Sequence, residues 1–156
     1  MVLNNFKYFY QGSLFNGTPK LTNVTQKAKT GSAFRAKSDY LNNCIINGIL
    51  EVGTGTSPVK EDDYCLENKI TTVTQVSANE VVNMDDGKLK KTFVRTLTYT
   101  GAEKIRITEI GLEKAIYWET SSQTGSNYYL LARELLGNPI EIEPQETFTV
   151  SITIEI

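Results

Sequence analysis

Three stretches of the chain combine residue types and spacings that chemistry can use. Gly53-Thr54-Gly55-Thr56-Ser57 has the glycines and hydroxyls of a phosphate-cradling loop. Such a loop needs a Gly-Lys-Ser/Thr ending that puts a lysine on the phosphates, or a third glycine opening a helix whose N-terminus receives them. Neither follows here, so the glycines read as a structural turn. Glu61-Asp62-Asp63 clusters the carboxylate oxygens that calcium favours, but the spacing of an EF-hand loop is missing. Asp85-Asp86 is better explained by the Asp-Gly hairpin turn it enters than by a metal.

The most decisive count is that of histidine, which is zero. It removes Ser-His-Asp and Cys-His pairs, the commonest transition-metal ligand and the commonest general base. A carboxylate pair of the glycosidase kind needs only to meet in space, and no feature of the sequence singles one out. Eight tyrosines and Trp118 suggest a sugar-stacking surface, with Trp118, Tyr128, Tyr129 and the polar run Glu119 to Ser126 as its parts. In β-rich domains such aromatics more often fill the core or an interface.

Those groups have to be held by some fold, and the bulk composition limits which. A chain of 156 residues with 40% hydrophobic and 22% charged content suits one domain with a genuine core. Sixteen basic and eighteen acidic residues give a formal charge of -2, without the basic excess that phosphate neutralisation by a nucleic-acid binder requires. No window reaches the about 18 uninterrupted apolar residues of a membrane helix. The first residues lack the layout of an export signal, which suggests synthesis and retention in a cytoplasm. Cys44 and Cys65 are too few for a disulfide framework or a four-cysteine zinc site.

The N-terminal part, residues 1–43, is polar and turn-rich and reads as an extended arm. Asp39 to Asn43 suggest a short capped helix, and Ile45 to Val52 a buried strand. From Ile70 onward alternation with a period of two takes over. Ile70 to Val76 is one strand. Val81 to Met84 and Leu89 to Tyr99 form a hairpin around Asp85-Asp86-Gly87, with Phe93, Arg95, Leu97 and Tyr99 on one face. Ile105 and Ile107 share a face that Ile110 and Leu112 do not, which predicts a bulge or corner near Thr108-Glu109. Ala115 to Trp118 and Tyr128 to Arg133 flank an exposed loop, and Gly137-Asn138-Pro139 turns the chain into a short strand, Ile140 to Ile142. In the last strand Phe148, Val150, Ile152, Ile154 and Ile156 alternate with polar residues. The expected fold is an all-β antiparallel β-sandwich or flattened barrel of about eight or nine strands over residues 44–156.

Four patches occur in a telling order: Val52-Gly53-Thr54-Gly55-Thr56-Ser57-Pro58 with Asp63 and Leu66 downstream, Glu109-Ile110-Gly111-Leu112, Leu130-Leu131-Ala132-Arg133, and the closing alternating strand. Together they resemble the small β-rich virion structural proteins of tailed bacteriophages and prophages, over roughly residues 45–156. The resemblance implies a non-enzymatic tail, collar, fibre or capsid-accessory component. Its partners would be other virion proteins and copies of itself, with no cofactor, metal, nucleic acid, membrane or small-molecule substrate. Its location would be the virion, after synthesis in the bacterial host cytoplasm. The motif residues Gly53, Thr54, Gly55, Pro58, Asp63 and Leu66 would then form a structural corner, with Asp63 and Leu66 fastening the loop to the body. Arm residues 1–43 would contact a neighbouring subunit. A carbohydrate-binding module for bacterial surface attachment is the alternative.

Overall fold

A computed structural model describes residues 1–2, 20–22, 28–30, 48–119 and 124–155 of the chain. Among these residues there are strands and turns and no helix, so the described part of the chain is all-β. The strands are β1 (Lys20–Thr22), β2 (Ala28–Thr30), β3 (Ile49–Gly53), β4 (Val73–Asp85), β5 (Lys88–Tyr99), β6 (Ile105–Glu119), β7 (Thr124–Ile142) and β8 (Thr147–Glu155). They form two three-stranded antiparallel sheets, ordered β3-β6-β7 and β4-β5-β8, and a small β1-β2 ladder. Six strands therefore make up the two main sheets, where eight or nine were expected, and among the described residues no barrel closes. The suggested helix at Asp39 to Asn43 and Cys44 lie outside the described residues.

Two compact units emerge. One comprises Met1–Ile49, Lys60–Cys65 and Leu112–Arg133; the other comprises Leu50–Val59, Leu66–Gly111 and Glu134–Ile156. In the second, β8 alternates exposed and buried residues along its whole length, with Phe148, Val150, Ile152 and Ile154 all inward. Opposite them in register lie Leu97, Arg95, Phe93 and Lys91 of β5. Burying the apolar side chains among them stabilises the fold by about 1.5–3 kcal/mol each. On the other face, hydroxyls pair across the strands: Thr92 with Thr153 at 2.8 Å, Thr96 with Thr149 at 3.2 Å, Thr98 with Thr147 at 2.8 Å. Cross-strand threonine pairs of this kind pin the register.

The β4–β5 turn is the one the Asp-Gly pair demands. Asp86 has φ 50° and Gly87 φ 73°, and Asp85 faces Lys88. Two consecutive positive φ values give a primed turn whose twist matches that of the strands it joins. The segments read from sequence as Ile70 to Val76 and Val81 to Met84 merge from Val73 onward into one strand, β4, with a register shift between Gln75 and Ser77, and Ile70 to Thr72 precede it. Nearly every residue of β4 is exposed, so no apolar alternation marks its middle.

Two further expectations need correction. Gly137-Asn138-Pro139 is not a turn but lies within β7. That strand stands at the end of its sheet, where a proline without an N–H is tolerated. The expected loop from Glu119 to Ser126 also shortens, because β6 runs to Glu119 and β7 starts at Thr124; residues 120–123 lie outside the described residues. The change of apolar face near Thr108-Glu109 marks the point where both faces of β6 become covered. Every residue from Glu109 to Lys114 is buried, charged ones included.

In the first unit, Tyr129 to Arg133 of β7 are likewise buried without interruption. The chain start is fastened there. Val2 bridges Ala132, the Met1 ammonium donates to the Arg133 carbonyl at 2.8 Å, and Arg133 N–H donates to the Met1 carbonyl at 3.2 Å.

Candidate functional site

The motif loop leaves β3 at Gly53 and is stitched to the segment that returns to it. Gly53 bridges Lys69, Thr54 N–H donates to the Asn68 carbonyl at 3.0 Å, and Ile70 N–H donates to the Val52 carbonyl at 2.9 Å. Inside this corner sits Glu109 of β6, fully buried. Its Oε1 accepts the backbone N–H of Gly55 and that of Asn68, each at 3.0 Å, and its Oε2 accepts Glu67 N–H at 3.3 Å. The neighbouring Thr108 hydroxyl donates to the Gly55 carbonyl at 2.8 Å. A carboxylate carried into a protein interior is costly unless its oxygens receive hydrogen bonds. Charge-assisted bonds of this kind contribute about 1.5–3 kcal/mol each.

A second carboxylate continues the pattern at the surface. Glu67 accepts Thr56 N–H at 2.8 Å, Ser57 N–H at 2.9 Å and the Ser57 hydroxyl at 2.7 Å. Pro58, which has no N–H, follows directly. The loop is thus a nest of backbone donors of the kind that receives phosphates elsewhere. Here two side chains of the same protein occupy it.

The glycines are required by close approach. A Cβ on Gly53 would collide with Glu109 Oε1 and lie 2.7 Å from the Asn68 carbonyl oxygen. On Gly55 it would lie 2.5 Å from both Glu109 Oε1 and Glu67 Cβ. Glu109 and the two glycines therefore specify one another, although 54 positions separate Glu109 from Gly55.

Asp63 and Arg133 belong to the first unit. Asp63 Oδ2 accepts Lys60 N–H at 3.0 Å, and Asp63 N–H donates back to the Lys60 carbonyl at 3.1 Å, closing a tight turn. The same oxygen accepts Arg133 Nη1 at 2.8 Å, and the Arg133 side chain is 3% exposed. Asp63 is thus spent on a partly buried ion pair with the arginine of Leu130-Leu131-Ala132-Arg133. Leu66 is buried in the second unit. Of the two residues expected to fasten the loop, Leu66 packs and Asp63 binds Arg133. The carboxylates that hold the glycine turn are those of Glu109 and Glu67. Glu109 stood in view as an acid opening an otherwise apolar run, Glu109-Ile110-Gly111-Leu112, and that mismatch is the signal that marks it.

Of the suggested sugar-stacking set, Tyr128 and Tyr129 do not share a face. Tyr128 is 45% exposed, whereas Tyr129 is 2% exposed and points into the interior. Consecutive strand residues face opposite sides, so the two rings cannot share one platform. The side chain of Trp118 lies outside the described residues. Among the described residues no group of three acidic or cysteine side chains converges to hold a metal, and no helix is long and apolar enough to cross a membrane.

Comparison with known proteins adds no relative. No protein-family model, no curated protein and no solved structure matches the chain.

Proposed function

We propose that the chain is a structural component of a tailed-bacteriophage virion, an accessory capsid or tail-type protein acting through protein–protein contacts in a symmetric assembly. The observation that carries the reading is the direct bonding among the motif residues. Gly53 and Gly55 close on Glu109, and Asp63 pairs with Arg133. The patches that support the resemblance are thus tied by contacts that do architectural work, and Glu67 and Glu109 are engaged in holding backbone.

Within the second unit we read the two sheets as layers of a β-sandwich. Supporting this, Leu50, Val52, Ile107 and Ile142 of one sheet are as deeply buried as Phe93, Leu97, Val150 and Ile152 of the other. Facing sheets about 10 Å apart bury side chains in this way.

The test is co-sedimentation. Antibody or mass-spectrometric detection of the chain in gradient-purified particles, at a fixed copy number per particle, supports the role. Absence from purified particles, with the soluble protein strictly monomeric, contradicts it.

A further inference from the structure

We propose that the outer edge of β4 is a self-association edge, on which a second copy of the chain adds its own β4 antiparallel about a two-fold axis at Val81. The inference rests on the reading of the chain as an assembling structural protein and names its self-contact.

β4 stands at the end of its sheet, with β5 as its hydrogen-bonded neighbour among the described residues. It is 13 residues long, and both faces are open to solvent over most of that length. Val76 is 61% exposed, Val82 56% and Met84 70%. Proteins that stay monomeric blunt such an edge with charges (lysine above all), prolines, bulges or brevity, and the one bulge of β4 lies before Ser77. β4 contains no lysine, arginine or proline.

Its charges do not oppose a like partner. Glu80 is held by Lys91 Nζ at 2.7 Å and by Arg95 Nη2 at 3.1 Å, and Asp85 by Lys90 Nζ at 2.6 Å. Both acids of the strand are therefore neutralised from β5, and a second β4 meets no uncompensated charge.

The register follows from the bulge. The ladder shifts between Gln75 and Ser77 and then runs unbroken from Ser77 to Asp85. The midpoint of that run is Val81, so a two-fold axis there pairs the whole run with itself over about 30 Å. Asn79 then faces Asn83 of the second copy, Ala78 faces Met84, and Glu80 faces Val82 rather than another Glu80. An isologous contact of this kind closes as a dimer.

The experiment places a cysteine at the axis. In a background carrying Cys44→Ser and Cys65→Ser, Val81→Cys should give a disulfide-linked dimer under mild oxidation. Directly opposed residues of an antiparallel pair lie about 4.5–5.5 Å apart at Cα, within disulfide reach. Met84→Cys in the same background should cross-link far less. The Val82→Lys, Met84→Lys double variant, with its circular dichroism unchanged, should run as a monomer in light scattering where the parent runs as a dimer. A monomeric parent, a dimer that survives both lysines, or preferential cross-linking at position 84 overturns the proposal. Survival of the dimer with incorporation into particles intact removes this edge and leaves the virion role standing. An intact β4 dimer in a protein absent from particles does the reverse.

Discussion

Gly55 donates its backbone N–H to a carboxylate oxygen of Glu109 at 3.0 Å, and the absence of a side chain on Gly55 is what lets that oxygen approach. A turn motif and a strand motif far apart in sequence are thus one structural feature. The glycine turn is closed from within the protein.

Replacing Glu109 tests this first. Glu109→Ala leaves the N–H groups of Gly55, Glu67 and Asn68 without their acceptor, at a cost of about 1–3 kcal/mol for each one that stays dry. Urea unfolding should show a loss of at least about 3 kcal/mol. Glu109→Gln should recover only part of it, because its amide nitrogen cannot accept.

The glycines should be coupled to that acid. Gly55→Ala alone should destabilise the protein by more than the few tenths of a kcal/mol of an ordinary exposed substitution. In combination with Glu109→Ala its cost should shrink, since the oxygen it strikes is gone. A double-mutant cycle should give a coupling of about 0.5–3 kcal/mol; strict additivity would mean that the two sites do not touch.

Asp63→Asn should destabilise by about 1–3 kcal/mol through loss of the charged partner of the nearly buried Arg133 guanidinium. Charge-neutral changes at the adjacent exposed Asp62 should stay within about 0.5 kcal/mol. Thermal melts of the two variants side by side make the comparison.

The exposed ion pairs set a pH direction. The hydrogen bond from Lys88 to Glu155, at 2.5 Å, holds the Glu155 carboxyl below its usual range, and Lys104 does the same for Glu141. A folded-state value below the unfolded one makes the contribution present above the unfolded carboxylate pKa of about 4.3 and lost as pH falls through the lowered value. Lys88→Gln should move the Glu155 midpoint back up in an NMR titration. Because the pair is solvent-exposed and screened, stability at neutral pH should barely change.

Legibility of the sequence followed how many faces of a strand are buried. β5 and β8 are covered on one face, so their period of two was plain, and the Asp-Gly turn announced itself through its φ demands. β4 is open on both faces and reads from sequence as two segments, since nothing apolar alternates through Ser77-Ala78-Asn79-Glu80. β6 and β7 are buried on both faces along part of their length, so their apolar residues fall on either side and no period of two marks them. The site was harder still. Composition shows that Glu109 is acidic; only the fold shows that its carboxylate ends at Gly55.

A cryo-EM map of intact particles from the producing host tests the proposed function most directly. The structure should fit repeated density at symmetry-related positions, with the Glu109-closed corner and the β4 edge recognisable in each copy. A complete map in which every density belongs to other chains would contradict it.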